Sequence, residues 1–313
     1  MNVTRTAYHY YNDSNKYKDN TIFIQKMVKV VTYVVNRPGF IEIQYHLMKK
    51  HFKFDYEFIV FNDAKSFPDI TNGNDIQMKS KIEDICAKYD IKCINIPNEH
   101  HKKCGTPSIR TADSVNYILE YQRKYPDKYL VLDSDMFPIA DFDINRYENV
   151  ASAIVLQERN NIGAKYFWNG LYYFDMTKMK DIELLDWSLC SGCDTGGLTQ
   201  NWLYKNTNYH VPPCDVIRKS KEQFVSNDIY FIRHLWSLSW DESELPAPLC
   251  NDSLLYFLKN DERNKNNKFY CELYDNTFLH YRSGSSWDDI NNNFNFDKHT
   301  KLYNDLKNAL QIH

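Results

Sequence analysis

The chain has 313 residues, 43% of them apolar and 25% charged, and a formal net charge of -3. That balance belongs to a globular protein with a buried core, and it excludes the basic footprint of a nucleic-acid binder or a polybasic membrane anchor. Aromatic residues reach 15%, but most rings in any protein are core or packed surface, so they favour no function.

Residues 1–25 show little periodicity and read as an N-terminal arm without the apolar stretch of a signal peptide. No segment reaches the roughly 20 apolar residues of a membrane-spanning helix. Val28-Lys-Val-Val-Thr-Tyr-Val-Val35 is β-branched and nearly continuous, as a strand buried on both faces should be. Asn36-Arg-Pro-Gly39 punctuates it. A helix is expected from Phe40 to His51, a second strand over Tyr56–Phe61, a helix over Ile76–Tyr89 and a third strand over Ile91–Ile96. After a polar, His-rich loop (98–107), Ser108 reads as an N-cap. Ile109, Ala112, Val115, Ile118, Leu119 and Gln122 then mark one stripe of a helix ending at Tyr125. Lys128–Leu132 is a fourth strand and runs directly into Asp133-Ser-Asp135.

Strands and helices alternating at this pitch predict a parallel, right-handed α/β unit, whose ligands bind at the carboxyl ends of the strands. The second half is less regular. It offers strands near 152–157 and 171–175, an aromatic-rich loop-and-helix region, and a closing amphipathic helix near 297–310. No Pro/Gly/Ser linker divides it, so residues 26–313 read as one domain, with a nucleotide-binding half (26–140) and an acceptor-binding half (141–313). Eight scattered cysteines lack the density of a disulfide scaffold, and the isolated Cys190-x-x-Cys193 lacks the further ligands of a zinc site. Reduced thiols and a cytoplasmic location are the expectation. The sequons at Asn2, Asn12 and Asn251 arise easily in an Asn-rich chain.

Acidic triplets are common, and Asp141-Phe-Asp143 and Glu242-Ser-Glu244 are others here. Asp133-Ser-Asp135 differs by its setting: an apolar strand delivers it to a sheet edge and apolar Met136-Phe-Pro-Ile139 follows. Two carboxylates there can hold one divalent cation that bridges two phosphate oxygens, or they can be simple capping acids. Three further elements stand out. Trp168-Asn-Gly-Leu-Tyr-Tyr-Phe-Asp175 carries an Asn-Gly pair, by itself an ordinary hairpin signal. Cys193-Asp-Thr-Gly-Gly-Leu-Thr-Gln200 is a glycine-hinged loop with an acid. Phe278-Leu-His-Tyr-Arg-Ser-Gly-Ser-Ser-Trp287 puts a histidine before a Ser/Gly loop able to face phosphate.

In this order the four elements, over roughly residues 28–287, resemble the GT-A glycosyltransferases, especially the branch of glycogenin and the bacterial lipopolysaccharide galactosyltransferases. The resemblance implies a GT-A (Rossmann-like) α/β fold with a mixed, mostly parallel sheet flanked by helices. It also implies Mn²⁺ or Mg²⁺ as cofactor, a nucleotide-sugar donor of the UDP type, and a glycan, glycoconjugate or protein hydroxyl as acceptor. Residue by residue, it makes Asp133, Asp135 and His280 the metal ligands, with Asp133 and Ser134 close to the donor. Arg110, Arg282 and Gly284 would contact the donor, Thr32 and Tyr33 would line the base pocket, and Asn169 and Gly170 would face the donor sugar. Asp194 would sit near the reacting centre or acceptor, as base in an inverting reaction or as an orienting group in a retaining one. Two departures are visible: Ser285-Ser286-Trp287 stands where the branch has Lys-Pro-Trp, and the turn reads Trp-Asn-Gly where Asn-Ala-Gly or Asn-Ser-Gly is usual. Two other readings compete: a nucleotidyltransferase of similar topology, for which Asn36-Arg-Pro-Gly39 does not supply the usual basic, Gly-rich loop, and a non-catalytic α/β binding module.

Overall fold

The computed structural model describes residues 27–67, 75–97, 106–159, 161–220, 223–246, 252–284 and 293–312. The expected arm (1–25), most of the His-rich loop, Asn251 and Ser285-Ser286-Trp287 lie outside the described residues.

The first half alternates as its pattern requires: β1 (Val28–Val34), α1 (Pro38–His51), β2 (Tyr56–Asn62), α2 (Met78–Lys88), β3 (Lys92–Asn95), α3 (Pro107–Lys124) and β4 (Lys128–Asp133). Then come β5 (Met136–Pro138), β6 (Ser152–Arg159), β7 (Ala164–Asp175), α4 (Gln200–Asn206), α5 (Cys214–Lys219), β8 (Phe224–Ser226), β9 (Ile229–Phe231) and β10 (His234–Leu235). The chain closes with α6 (Asp252–Lys259), β11 (Glu272–Tyr274), β12 (Phe278–His280) and α7 (Asn293–Ala309).

Eight strands form one sheet in the order β3-β2-β1-β4-β7-β6-β9-β8. Neighbours pair parallel from β3 to β4 and between β6 and β9, while β7 runs antiparallel to both β4 and β6. The structure is therefore the mixed, mostly parallel sheet flanked by helices that the sequence predicts. Strand period two explains the apolar runs. Val30, Val34, Leu130 and Leu132 pack on one face with Ile41, Met48 and Ile82 from α1 and α2; Val31, Tyr33, Tyr129 and Val131 pack on the other with Val115, Ile118 and Leu119 from α3. Each such side chain contributes about 1.5–3 kcal/mol when fully buried, so both faces demand helical cover.

A second sheet, antiparallel throughout, has the order β10-β11-β12-β5. Its core collects Phe137, Leu235, Leu273 and Leu279 against Phe40, Ile43 and Leu47 on the far side of α1, with Leu258 and Leu306 from α6 and α7. Helix α1 is thus clamped between the sheets. Only Ser134 and Asp135 separate β4 from β5, so the acidic triplet is the step by which the chain leaves one sheet for the other.

Three expectations need correction. Helix α3 is capped by Thr106, whose hydroxyl accepts the Ile109 N–H, not by Ser108; Pro107 at the first helical position needs no partner for a missing N–H. Ile109 is 43% exposed, and the buried stripe takes Arg110 and Ser114 in its place. Asn169-Gly170 is not a turn, because β7 runs straight through it. The register against β6 instead slips there, with Ile154 facing Tyr172 and Val155 facing Trp168. The indole of Trp168 folds back over Gly170, where a Cβ would stand 2.1 Å from the ring, so a glycine is required for packing rather than for turning. Among the described residues, Cys86, Cys93, Cys190, Cys193, Cys214 and Cys271 carry free thiols, and no helix is long and apolar enough to cross a membrane.

Candidate active site

Strand order reverses between β1 and β4, and at that point the carboxyl ends of the two strands stand side by side, with Tyr33 opposite Asp133. The turn beyond Asp133 is fixed from within and from behind. Asp133 Oδ1 accepts the Ser134 N–H at 2.7 Å. Gln44, in the middle of the apolar stripe of α1, donates through Nε2 to the carbonyls of Asp133 (2.8 Å) and Met136 (3.1 Å).

His280 reaches this turn by register alone. Strand β12 pairs with β5 so that His280 faces Met136, one residue beyond Asp135, and the next backbone N–H, from Tyr281, donates to the Asp135 carbonyl at 2.9 Å. One ligand atom each of Asp133, Asp135 and His280 then lies within 4.8 Å of the others. Gly284 closes the far side: its N–H donates to Asp135 Oδ2 at 2.7 Å and its carbonyl accepts from Arg37 Nε at 3.2 Å. A Cβ at Gly284 would come within 2.7 Å of Asp135 and 2.6 Å of Phe40, so a side chain there would displace the carboxylate.

The electrostatics are those of a crowded acid pair beside a histidine. Burial, and then the charge of Asp135, push the Asp133 carboxyl up to about 7. Burial acts on Asp135 in the same sense, but the His280 charge and the Gly284 N–H outweigh it and hold that carboxyl below its ordinary value. For His280, burial favours the neutral ring. The carboxylates of Asp135 and Glu272 on either side overcome it and raise the group to about 10.

The donor set fits a divalent cation. Asp135 Oδ1 is buried and, among the described residues, accepts no hydrogen bond. His280 Nε2 stands 3.0 Å from it, at ion-pair distance but without hydrogen-bond alignment. In the metal-free chain the charged His280 ring meets this oxygen; with the ring neutral, a divalent cation would have to supply that positive charge. Two carboxylates and one imidazole suit Mn²⁺, and suit Mg²⁺ less well because it prefers oxygen throughout.

The other expected residues fall around this centre at different removes. Tyr33 and Asn169 meet directly: Asn169 Nδ2 donates to the Tyr33 hydroxyl at 2.7 Å, which joins β1 to the irregular stretch of β7. Burial, and then Asp133, keep the Tyr33 phenol well above its usual range, so it stays protonated. Thr32 is fully buried and its hydroxyl has no hydrogen-bond partner among the described residues. Gly170 lies beneath Trp168, whose ring stacks on Tyr274 at 4.9 Å and stands 5.1 Å from His280. Arg282 follows the histidine in a left-handed conformation (φ 55°), with its guanidinium over Tyr270 and 3.8 Å from Glu272. Arg110 is buried on α3 beside Asp63, whose carboxylate accepts from Ser114 (2.7 Å) and pairs with Lys65 (2.8 Å). Asp194 is exposed. Its carboxylate caps its own loop by accepting the Thr195 N–H, and its N–H donates to the Tyr166 hydroxyl; no hydrogen bond among the described residues joins it to the aspartate–histidine group.

The sequence reading missed two residues that shape the site. Gln44 had a signal, a polar residue on the buried stripe Phe40-Ile41-Gln44-Leu47-Met48. Glu272, between Cys271 and Leu273, had a fainter one, an acid in a short apolar strand.

No family model and no curated protein matches the chain. Solved structures similar to it include the WbbM bifunctional glycosyltransferase (12% identity, TM-score 0.36, covering 58% of this chain and 38% of that one). A second is the galactosyltransferase LgtC with donor and acceptor sugar analogues (14%, 0.35, 56% and 69%). A third is the mannosyltransferase PcManGT from Pyrobaculum calidifontis with GDP-Man and Mn²⁺ (14%, 0.32, 48% and 44%). The matches span less than half the length of the first and third of these proteins.

Proposed function

We propose that this chain is a metal-dependent glycosyltransferase of the GT-A type that moves a sugar from a nucleotide-diphosphate sugar, with a UDP-sugar as the expected donor, to a hydroxyl acceptor. The observation that supports it most is the convergence of Asp133, Asp135 and His280 within 4.8 Å at the reversal point of a mostly parallel sheet.

Asp133, Asp135 and His280 would hold the divalent ion, whose positive charge would neutralise a diphosphate leaving group. The chain's own groups do the rest. Gln44 fixes the backbone of the turn through the Asp133 and Met136 carbonyls, and the Gly284 N–H holds the Asp135 carboxylate. Tyr33 and Asn169 form a neutral, hydrogen-bonded floor beside Asp133, suited to a base and a sugar rather than to further charge. Arg282, 42% exposed after the histidine, is the cation available to the phosphates. Asp194 is the acid for the acceptor side: as a base it would take the acceptor hydroxyl's proton, and in a retaining reaction it would orient the sugar while the departing phosphate takes that proton.

Thermal stabilisation tests this reading. UDP should raise the melting temperature when Mn²⁺ is present and should do so far less in EDTA. Equal stabilisation with and without metal, or none in either case, would remove the metal-dependent transferase. A panel of UDP-, GDP- and CMP-sugars in a hydrolysis assay tests the base; preference for a GDP-sugar would overturn the uridine expectation alone.

A further inference from the structure

Strand β11 lies between β10 and β12, and its register sets Glu272 directly opposite His280. Glu272 Oε2 is 2.8 Å from His280 Nδ1 and also accepts the Tyr274 hydroxyl at 2.7 Å. Its other oxygen, Oε1, accepts the Ser237 N–H at 3.1 Å, with Arg282 Nε 3.8 Å away. The carboxylate is 5% exposed and tied at both oxygens, so it has one orientation available. Facing a carboxylate held so firmly, the imidazole keeps a proton on Nδ1 whether the ring is charged or neutral, and Nε2 is the nitrogen that gives up its proton when an ion binds. Its Nε2 is then the nitrogen on the side of Asp135 and Asp133. On the open side, Trp168 at 5.1 Å limits rotation of the ring.

We propose that Glu272 is a positioning residue for the divalent-cation site: it fixes the tautomer and orientation of His280 so that Nε2, not Nδ1, is presented to the ion. This rests on the metal-dependent reading above and adds a residue to it. A ligating histidine holds its metal more strongly when its other N–H is anchored, and loss of such an anchor typically costs about 10–100-fold in metal affinity. A carboxylate suits this place better than an amide. Three donors converge on Glu272 (His280 Nδ1–H, Tyr274 O–H and Ser237 N–H), and a glutamine would turn its own NH₂ toward at least one of them.

The test is Mn²⁺ alone, titrated into the full chain and followed through the spectrum of free Mn²⁺. The parent and the Asp135→Asn, Glu272→Gln and Glu272→Ala variants would be compared, and each variant's metal-free melting temperature recorded. The parent should bind one ion and D135N none. E272Q should bind about tenfold more weakly than the parent while melting close to it, and E272A about 10–100-fold more weakly. E272Q keeps the side-chain volume, so it carries the test if E272A does not fold. E272Q within twofold of the parent overturns the positioning role, and so does a lowered melting temperature with unchanged affinity, which would make Glu272 a structural anchor only. A parent that binds no Mn²⁺ overturns the metal reading itself, and the two failures are told apart by that control.

Discussion

The large sheet builds its donor edge from neighbours. Strands β1 to β4 follow one another with only helices between, and their apolar runs are long enough to be seen before any contact is known. The small sheet assembles its side of the site from distant pieces: two or three residues each at 136–138, 234–235, 272–274 and 278–280. Polar burial differs in the same way. Strands β1–β4 bury mainly apolar side chains, with Thr32 and Asn62 among them, whereas the short strands of the small sheet bury His234, Glu272 and His280. A long sheet can tolerate imprecision in any one pair because burial is summed over many. Three-residue strands cannot, and their register is held by specific hydrogen bonds. The histidine of the aspartate–histidine group is thus supplied by the small sheet, and perturbing the two sheets should give different kinds of damage.

The largest expected effect is on the large-sheet side of the site. Asp133→Asn should lower donor hydrolysis and transfer by about 10⁴-fold, roughly 5.5 kcal/mol of transition-state stabilisation, without lowering the melting temperature, because the charge it removes is one that burial and Asp135 disfavour. Asp135→Ala should cost stability as well, since it strands the Gly284 N–H and the buried His280. Undiminished activity of Asp133→Asn in a steady-state assay would break the assignment.

The second prediction concerns the two buried histidines of the small sheet, which should shape the pH–stability curve of the metal-free protein in opposite directions. His280 is raised to about 10 from about 6.5 when unfolded. Its contribution is fully present below pH ~6.5 and is lost as pH rises toward 10, at most about 5 kcal/mol. Burial holds His234 down at about 4, with its Nδ1 3.3 Å from the Ile232 carbonyl and its ring against Trp236. The unfolded chain takes up that proton more readily, so stability falls from pH ~6.5 toward 4 by up to about 3 kcal/mol. Denaturant titrations across pH 4–10 isolate each histidine as the difference between parent and variant, because Asp133, raised to about 7, adds a loss of its own between about pH 4 and 7. His234→Phe should flatten the acid limb and His280→Gln the alkaline one. A curve that rises steadily from pH 6.5 to 10 would contradict the His280 environment.

Smaller effects should come from the glycines at the junction. Gly170→Ala would set a methyl 2.1 Å from the Trp168 ring and force the indole off Tyr274, at about 1–3 kcal/mol. Gly284→Ala should cost about the same in stability and should in addition weaken Mn²⁺ binding, because the methyl meets Asp135 itself. Equal metal affinity in the two variants, measured by titration, would mean that the Gly284 loop does not shape the carboxylate.

The sequence by itself determined the parallel half of the large sheet, β1 to β4, and with it the strand that presents Asp133 and Asp135, because periodicity and β-branched runs record which faces are buried, and burial dominates the energy of those elements. It also carried the ordered motifs that single out His280. What it could not settle was register and direction. Asn169-Gly170 looks like a turn, yet tertiary packing of Trp168 over Gly170 keeps it inside a strand. Gln44 and Glu272 are ordinary polar residues until α1 is clamped between two sheets and β11 is laid beside β12. Only then do their hydrogen bonds reach the Asp133 turn and the His280 ring. Such contacts join residues far apart in the chain through single bonds of about 1 kcal/mol, too local in space and too remote in sequence to leave a pattern that a linear reading detects.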